Sequence, residues 1–223
     1  MQLLAGIVQL LIFQQWALLM AKAKPLDAVS LLCTNVNECK NLTGIMAQIK
    51  SQITQMHKET GDLYHTYVQS NNFNDKTVKY LCNPDSENDF PKYKLTDGSE
   101  KDKVVELYKV FHYMKTAIVN ITKYQKDLNP RKNHGTLHSQ LNTSKDGITA
   151  VISNLSCILC QRYQLSEVTE HYRMHPPTNG FAKKKMGCKV LKKFEHFLSE
   201  ATGITDLWFN QMADAEDPLT DKR

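Results

Sequence analysis

Leu155-Ser156-Cys157-Ile158-Leu159-Cys160 puts two cysteines into the last turns of a helical pattern, and the other four lie far away at Cys33, Cys39, Cys82 and Cys188. The pattern that ends in this stretch runs from about Leu137 to Tyr163. Leu141, Ile148, Val151, Ile152, Leu155 and Leu159 recur along one stripe at the period of an α-helix. Gly147 is its weak spot, since glycine has a low helix propensity.

Three more segments carry the same period, and no segment reads convincingly as a strand. The first spans about Thr43 to Val68, with Ile45, Ile49, Ile53, Met56, Leu63 and Tyr67 aligned, and Asn71, Asn72 and Asn74 closing it. The second starts at Ser99, where Asp102 three residues on completes a capping-box pattern. Its apolar face is Val104, Tyr108, Phe111, Ile118 and Ile121. Lys123 and Lys126 suit the helix dipole near its end, and Pro130 forbids continuation. The fourth begins near Phe181 and continues through Met186, Val190, Leu191, Phe194 and Leu198 to at least Ala201. After Thr205 the chain turns acidic, and its end reads as a disordered tail.

Connection lengths decide how four helices are ordered. Roughly thirty residues join the first to the second, about a dozen the second to the third, and about sixteen the third to the fourth. Long first and third connections predict an up-up-down-down bundle with two overhand crossovers. Sixteen extended residues span roughly 50 Å, more than the roughly 40 Å of a 27-residue helix.

The cysteines test that order independently. In an up-up-down-down bundle the third helix ends at the pole where the first begins, so Cys157 and Cys160 meet Cys33 and Cys39. In up-down-up-down order they would sit at opposite poles, beyond the roughly 7 Å that bridged Cα atoms tolerate. Cys82 on the first crossover and Cys188 in the fourth helix fall near the other pole. The expected fold is therefore all-α: a long-chain four-helix bundle, stapled at both ends.

Residues 1–23 read as a signal peptide. Leu3 to Met20 is mostly apolar, and Ala21-Lys22-Ala23 supplies a small-x-small cleavage pattern. A membrane anchor is the competing reading, but Gln9, Gln14 and Gln15 interrupt the stretch. Export makes disulfides the expected state of the cysteines. It also agrees with sequons at Asn41, Asn120, Asn142 and Asn154. Removal of Lys22 lowers the formal charge from +5 to +4, mildly basic and no demand for a nucleic-acid partner. The expected organisation is 1–23 signal peptide, 24–205 bundle and 206–223 acidic tail, a secreted monomer.

Few motifs suggest chemistry. Cys157-x-x-Cys160 has redox spacing, yet it ends a helix and no βαβ pattern precedes it, which favours structural bridging. His171 and His175 lie in a proline-containing connection without a third ligand, and fit surface histidines better than a zinc site. No nucleotide loop or nucleophile elbow is present, so the reading assigns no cofactor, no metal and no enzyme activity. Lys183, Lys184, Lys185, Lys189, Lys192 and Lys193 crowd the fourth helix. They suit a solvated face, a receptor contact or a heparan-sulfate patch. Phe181 at the start of that helix is the strongest candidate for an anchor in a partner's pocket, with a basic neighbour one turn on.

The chain resembles the interleukin-6 family of cytokines, in the branch typified by leukaemia inhibitory factor, over about residues 33 to 204. The resemblance rests on Gln48-Ile49-Lys50-Ser51-Gln52, Val105-Glu106-Leu107-Tyr108, Asn120-Ile121-Thr122, Leu128-Asn129-Pro130, Leu155 to Cys160, and Lys183-Lys184-Lys185-Met186-Gly187-Cys188. It implies the pairing Cys33–Cys160, Cys39–Cys157 and Cys82–Cys188. It also implies that Phe181, as anchor, and Lys184, as its charged partner, dock the leukaemia inhibitory factor receptor. Gln48, Ser51 and Gln55 on the first helix and Asn154 on the third then match the face that binds the shared receptor glycoprotein 130, activating receptor-associated kinase and STAT signalling. Asn154 is in a sequon on that face, and a glycan there would obstruct the contact. The alternatives are a sister cytokine with another receptor pair and, remotely, a secreted Cys-x-x-Cys oxidoreductase.

Overall fold

The computed structural model describes residues 28–33, 39, 41–83, 90–128, 135–170, 172 and 174–215. The signal peptide expected over 1–23, His171, Pro130 and the end of the acidic tail lie outside the described residues. In chain order the elements are β1 (Ala28–Leu31), α1 (Leu42–Ser70), α2 (Asp75–Leu81), α3 (Glu100–Leu128), α4 (Gly135–Gln161), β2 (Glu167–Glu170) and α5 (Gly180–Ala215).

Polar caps set where the helices begin. A helix start leaves backbone N–H groups without partners, and a short polar side chain can accept from them. Asn41 Oδ1 accepts from the Gly44 N–H at 2.9 Å, Asn74 Oδ1 from Thr77 at 2.8 Å, and Asn179 Oδ1 from Ala182 at 2.8 Å. Before α3 the capping box is closed both ways. The Asp102 N–H donates to Ser99 Oγ at 3.2 Å, and the Ser99 N–H donates to Asp102 Oδ2 at 3.0 Å.

The four long helices form the bundle. α1 packs against α4 and α5, and α3 packs against the same two, so α1 and α3 sit diagonally. Side chains at the helix ends give the directions. Tyr67 and Asn71 at the end of α1 bond to Gln125 near the end of α3, so these two run together. Arg162, just past α4, pairs with Glu100 at the start of α3 at 3.0 Å. Tyr67 also reaches Lys184 at the start of α5. α4 and α5 therefore both run back, which is the up-up-down-down order. The expected stripes are the core: Ile49, Ile53, Leu63 and Tyr67 of α1, Phe111 and Ile118 of α3, Ile148 and Leu155 of α4, and Phe194 and Leu198 of α5 are all buried. Gly147 does not break α4. A Cβ there would lie 3.4 Å from Met56 Sδ, so the missing side chain lets α4 and α1 approach closely.

Cys33 is bonded to Cys160 and Cys39 to Cys157 at one pole, while Cys82 is bonded to Cys188 towards the other. Cα separations of 5.6, 5.5 and 5.2 Å fit ordinary bridges. Cys157 and Cys160 thus each hold a different distant cysteine and do not form a redox pair with one another.

Four features depart from the expected layout. β1 and β2 form a two-stranded antiparallel sheet, with Ala28 opposite Glu170 and Leu31 opposite Glu167. It ties the chain before the first cysteine to the connection after α4, and the Leu32 N–H extends it to the Ser166 carbonyl at 3.0 Å. The first crossover contains the short α2. The α3–α4 connection is only residues 129–134, half the expected length. Finally, α5 does not stop at the boundary drawn after residue 205 but runs to Ala215, with Thr205 and Trp208 buried. The stripe Leu198, Ala201, Thr205 and Trp208 keeps helical spacing, and Asp206 pairs with Lys50 of α1 at 3.1 Å.

Candidate receptor-binding surfaces

At its start, α5 presents Phe181 to solvent at 56% exposure, one of few large apolar side chains so placed among the described residues. The turn beneath it is fixed from several sides. Asn179 caps it. Lys183 pairs with Asp127 of α3 at 3.2 Å, and its ammonium sits 5.1 Å from the centre of the Tyr124 ring. Lys184 reaches the other way: its ammonium lies 3.5 Å from the Asn71 carbonyl, at the outer limit of a hydrogen bond. The Lys184 carbonyl accepts from the Tyr67 hydroxyl at 3.1 Å. Tyr67 is fully buried, and that burial drives its phenol pKa well above the ordinary tyrosine range, with the Gln125 hydrogen bond opposing. The phenol is therefore a permanent donor. Gly187 leaves it room, because a Cβ at that position would collide with the Tyr67 hydroxyl.

The lysines of α5 do not make one solvated patch. Lys183 and Lys184 are engaged as described. Lys192 pairs with Glu195 at 2.6 Å and lies 5.1 Å over the Tyr64 ring, and Lys193 lies 6.0 Å over Phe90. Lys189 is only 8% exposed. The run is split: Lys185, Lys189, Lys192 and Lys193 share one side of the helix while Lys183 and Lys184 lie off it, because successive residues point in different directions.

A second polar surface joins α1 to α4 near the other pole. Gln48, Ser51 and Gln55 are exposed on α1. The Asn154 amide donates across the seam to Gln52 Oε1 at 3.0 Å and to Gln48 Oε1 at 3.4 Å. Gln55 donates to Glu59 at 2.8 Å, one turn on. Asn154 and Gln48 are thus brought together, while Ser51 and Gln55 follow along the same helix. Phe181 and Lys184 are remote, since Tyr67 beside Lys184 lies about 24 Å along α1 from Ser51 at 1.5 Å per residue.

The match to known proteins now bears on this arrangement. Residues 44–204 match the model of the LIF / OSM family. The chain belongs to the LIF / OSM family. It is therefore a cytokine of that group, its partners are cytokine receptors, and its disulfides fit an extracellular protein. No helix among the described residues is long and apolar enough to cross a membrane. The matched span stops short of Trp208, so the last turns of α5 lie beyond the family match.

Several residues around these surfaces of the LIF / OSM-family chain escape a reading by motif. Tyr67 reads as a core aromatic, yet its hydroxyl is the link between α1 and α5. Asn71 reads as a helix stop, but it is buried and donates to Gln125 as well as to the Tyr67 carbonyl. Gln125 carries no motif signal, and Gly187 enters only as part of the Lys183 to Cys188 stretch. A polar residue at a core-stripe position, as Gln125 is, is the one hint that such a network exists.

Proposed function

We propose that this cytokine acts by bringing two receptor chains together. Phe181 and Lys184 dock the leukaemia inhibitory factor receptor, and the α1–α4 face of Gln48, Ser51, Gln55 and Asn154 binds glycoprotein 130. Juxtaposed receptors then activate their associated kinases and STAT factors. The ligand makes and breaks no bond. One stiff bundle with two remote patches suits bivalent assembly, because neither receptor has to displace the other.

The observation that carries this reading is Phe181. An aromatic ring more than half exposed costs solvation unless a partner covers it, and here it stands on a turn immobilised by Asn179, Tyr67 and Asp127. Rigid aromatic anchors of this kind are typical binding hot spots. Lys184 keeps ammonium protons beyond the one directed at Asn71, and these can meet a receptor carboxylate.

The same proposal takes residues 1–23 as a cleaved signal peptide and the product as a secreted glycoprotein. Asn41, Asn120 and Asn142 are its glycan carriers. Asn154 stays bare, since its amide already bridges two glutamines. Heparan sulfate is a weaker partner, since Lys183, Lys184 and Lys192 are already engaged within the bundle. Mixing the purified chain with both receptor ectodomains, singly and together, tests the reading: a ternary complex supports it, and failure to hold both at once contradicts it.

A further inference from the structure

Lys185 and Lys189 of α5 have no ion-pair partner among the described residues. Lys189 is more than nine-tenths buried, and among the described residues no carboxylate pairs with it. Burial, then the charges of Lys185 and Lys193, pull its pKa below the ordinary lysine value. Its side chain lines an open cavity of about 340 Å³ whose wall is otherwise largely apolar: Tyr113 of α3, Met174 and Pro177 of the β2–α5 connection, and Met186 and Val190 of α5. Lys185 stands at the same cavity.

Position on the helix ties this cavity to Phe181. Residues four apart lie on one face of an α-helix, so Phe181, Lys185 and Lys189 form a single stripe along the first turns of α5. Ala182, beside Phe181, lines the cavity as well. The Lys189 ammonium reaches solvent at the cavity and has no carboxylate partner among the described residues, so an incoming carboxylate can pair with it there. The pocket's shape and charge are complementary to an acidic side chain with an apolar neighbour.

We propose that this cavity is a second subsite of the α5 receptor footprint, and that the receptor chain engaged by Phe181 fills it with a carboxylate and an adjoining apolar side chain. The proposal rests on the Phe181 reading. It extends the footprint from one exposed ring to a ring followed by a charged pocket one to two turns along the helix. Lys189 then sets which receptor sequence is accepted, because a chain without the acidic group leaves the ammonium buried and unpaired.

Three full-length variants, each measured against the leukaemia inhibitory factor receptor ectodomain by surface plasmon resonance, test the subsite. Lys189→Met keeps a long side chain and removes the charge. It should weaken binding by about tenfold or more, as loss of one partner of a buried ion pair does, and make affinity less salt-dependent. Its thermal midpoint should equal or exceed the parent's. Ala182→Phe fills the cavity from its rim and should also weaken binding; it decides the matter if Lys189→Met does not fold. Phe181→Ala reports on the reading beneath. Parental affinity in the first two variants, with loss in Phe181→Ala, removes the subsite and leaves the Phe181 footprint standing. Parental affinity in Phe181→Ala removes both.

Discussion

The buried Tyr67 hydroxyl donates to the Lys184 carbonyl at 3.1 Å, joining the last turn of α1 to the first turn of α5. Gln125 of α3 donates to the Tyr67 hydroxyl oxygen at 3.2 Å, so three helices converge on one phenol. Tyr67→Phe keeps the ring and removes the hydroxyl, leaving Gln125 and the Lys184 carbonyl each short of a partner. The expected cost is about 1–3 kcal/mol in chemical denaturation, the range for stranding a buried polar group. Backbone amides that follow Lys184 should also exchange with solvent faster than those in the middle of α5. Exchange unchanged at the α5 start would mean the bond does not hold that turn.

Trp208 makes a prediction about the part of α5 outside the family match. The side chain is 4% exposed and belongs to the core. Trp208→Ala should lower stability by about 3 kcal/mol, as large aromatic truncations in cores do. Thermal unfolding of that variant checks it, and a parental midpoint would show that the last turns of α5 add nothing to the bundle.

These last turns show why parts of the fold were hard to read from residues alone. Acidic composition after Thr205 suggests a tail, but the spacing of Leu198, Ala201, Thr205 and Trp208 was the stronger signal, since periodicity reports the face a helix buries. Helix order was legible because Cys157 and Cys160 can meet Cys33 and Cys39 in only one of the two arrangements. β1 and β2 were not. Ala-Val-Ser-Leu and Glu-Val-Thr-Glu are too short for an alternating pattern to stand out, and their pairing depends on segments far apart in sequence. The lysines of α5 were visible as charge but not as geometry: the sequence does not say that Lys189 points into a pocket while Lys183 meets Asp127.

At the start of α3, Asp102 accepts from the Ser99 hydroxyl at 2.7 Å and from the Ser99 N–H at 3.0 Å. The Ser99 side-chain bond first, then the backbone bond, hold its carboxyl below the ordinary value of 3.8. A depressed folded pKa contributes stability above the unfolded value and loses it as pH falls through the folded value. The capping box should therefore weaken only below about pH 4. Carboxyl carbon NMR of Asp102 should show a titration below 3.8 in the parent and one shifted upward in Ser99→Ala. Superimposable curves would remove the hydroxyl as the cause.

Asn154 predicts a modification pattern. Both glutamines it bridges accept from its amide nitrogen, the atom a glycan would occupy. Intact-glycopeptide mass spectrometry of active, secreted protein should find glycans at Asn41, Asn120 and Asn142 and an unmodified Asn154. High occupancy at Asn154 on protein that still binds glycoprotein 130 would contradict its assignment to that face.

The most direct test of the two-surface account is the binding of Phe181→Ala to each purified receptor ectodomain by surface plasmon resonance. The account predicts a loss of more than about 2 kcal/mol towards the leukaemia inhibitory factor receptor, as for a hot-spot residue, with glycoprotein 130 binding unchanged. Parental affinity for the leukaemia inhibitory factor receptor in a folded variant, or equal losses towards both receptors, would contradict it.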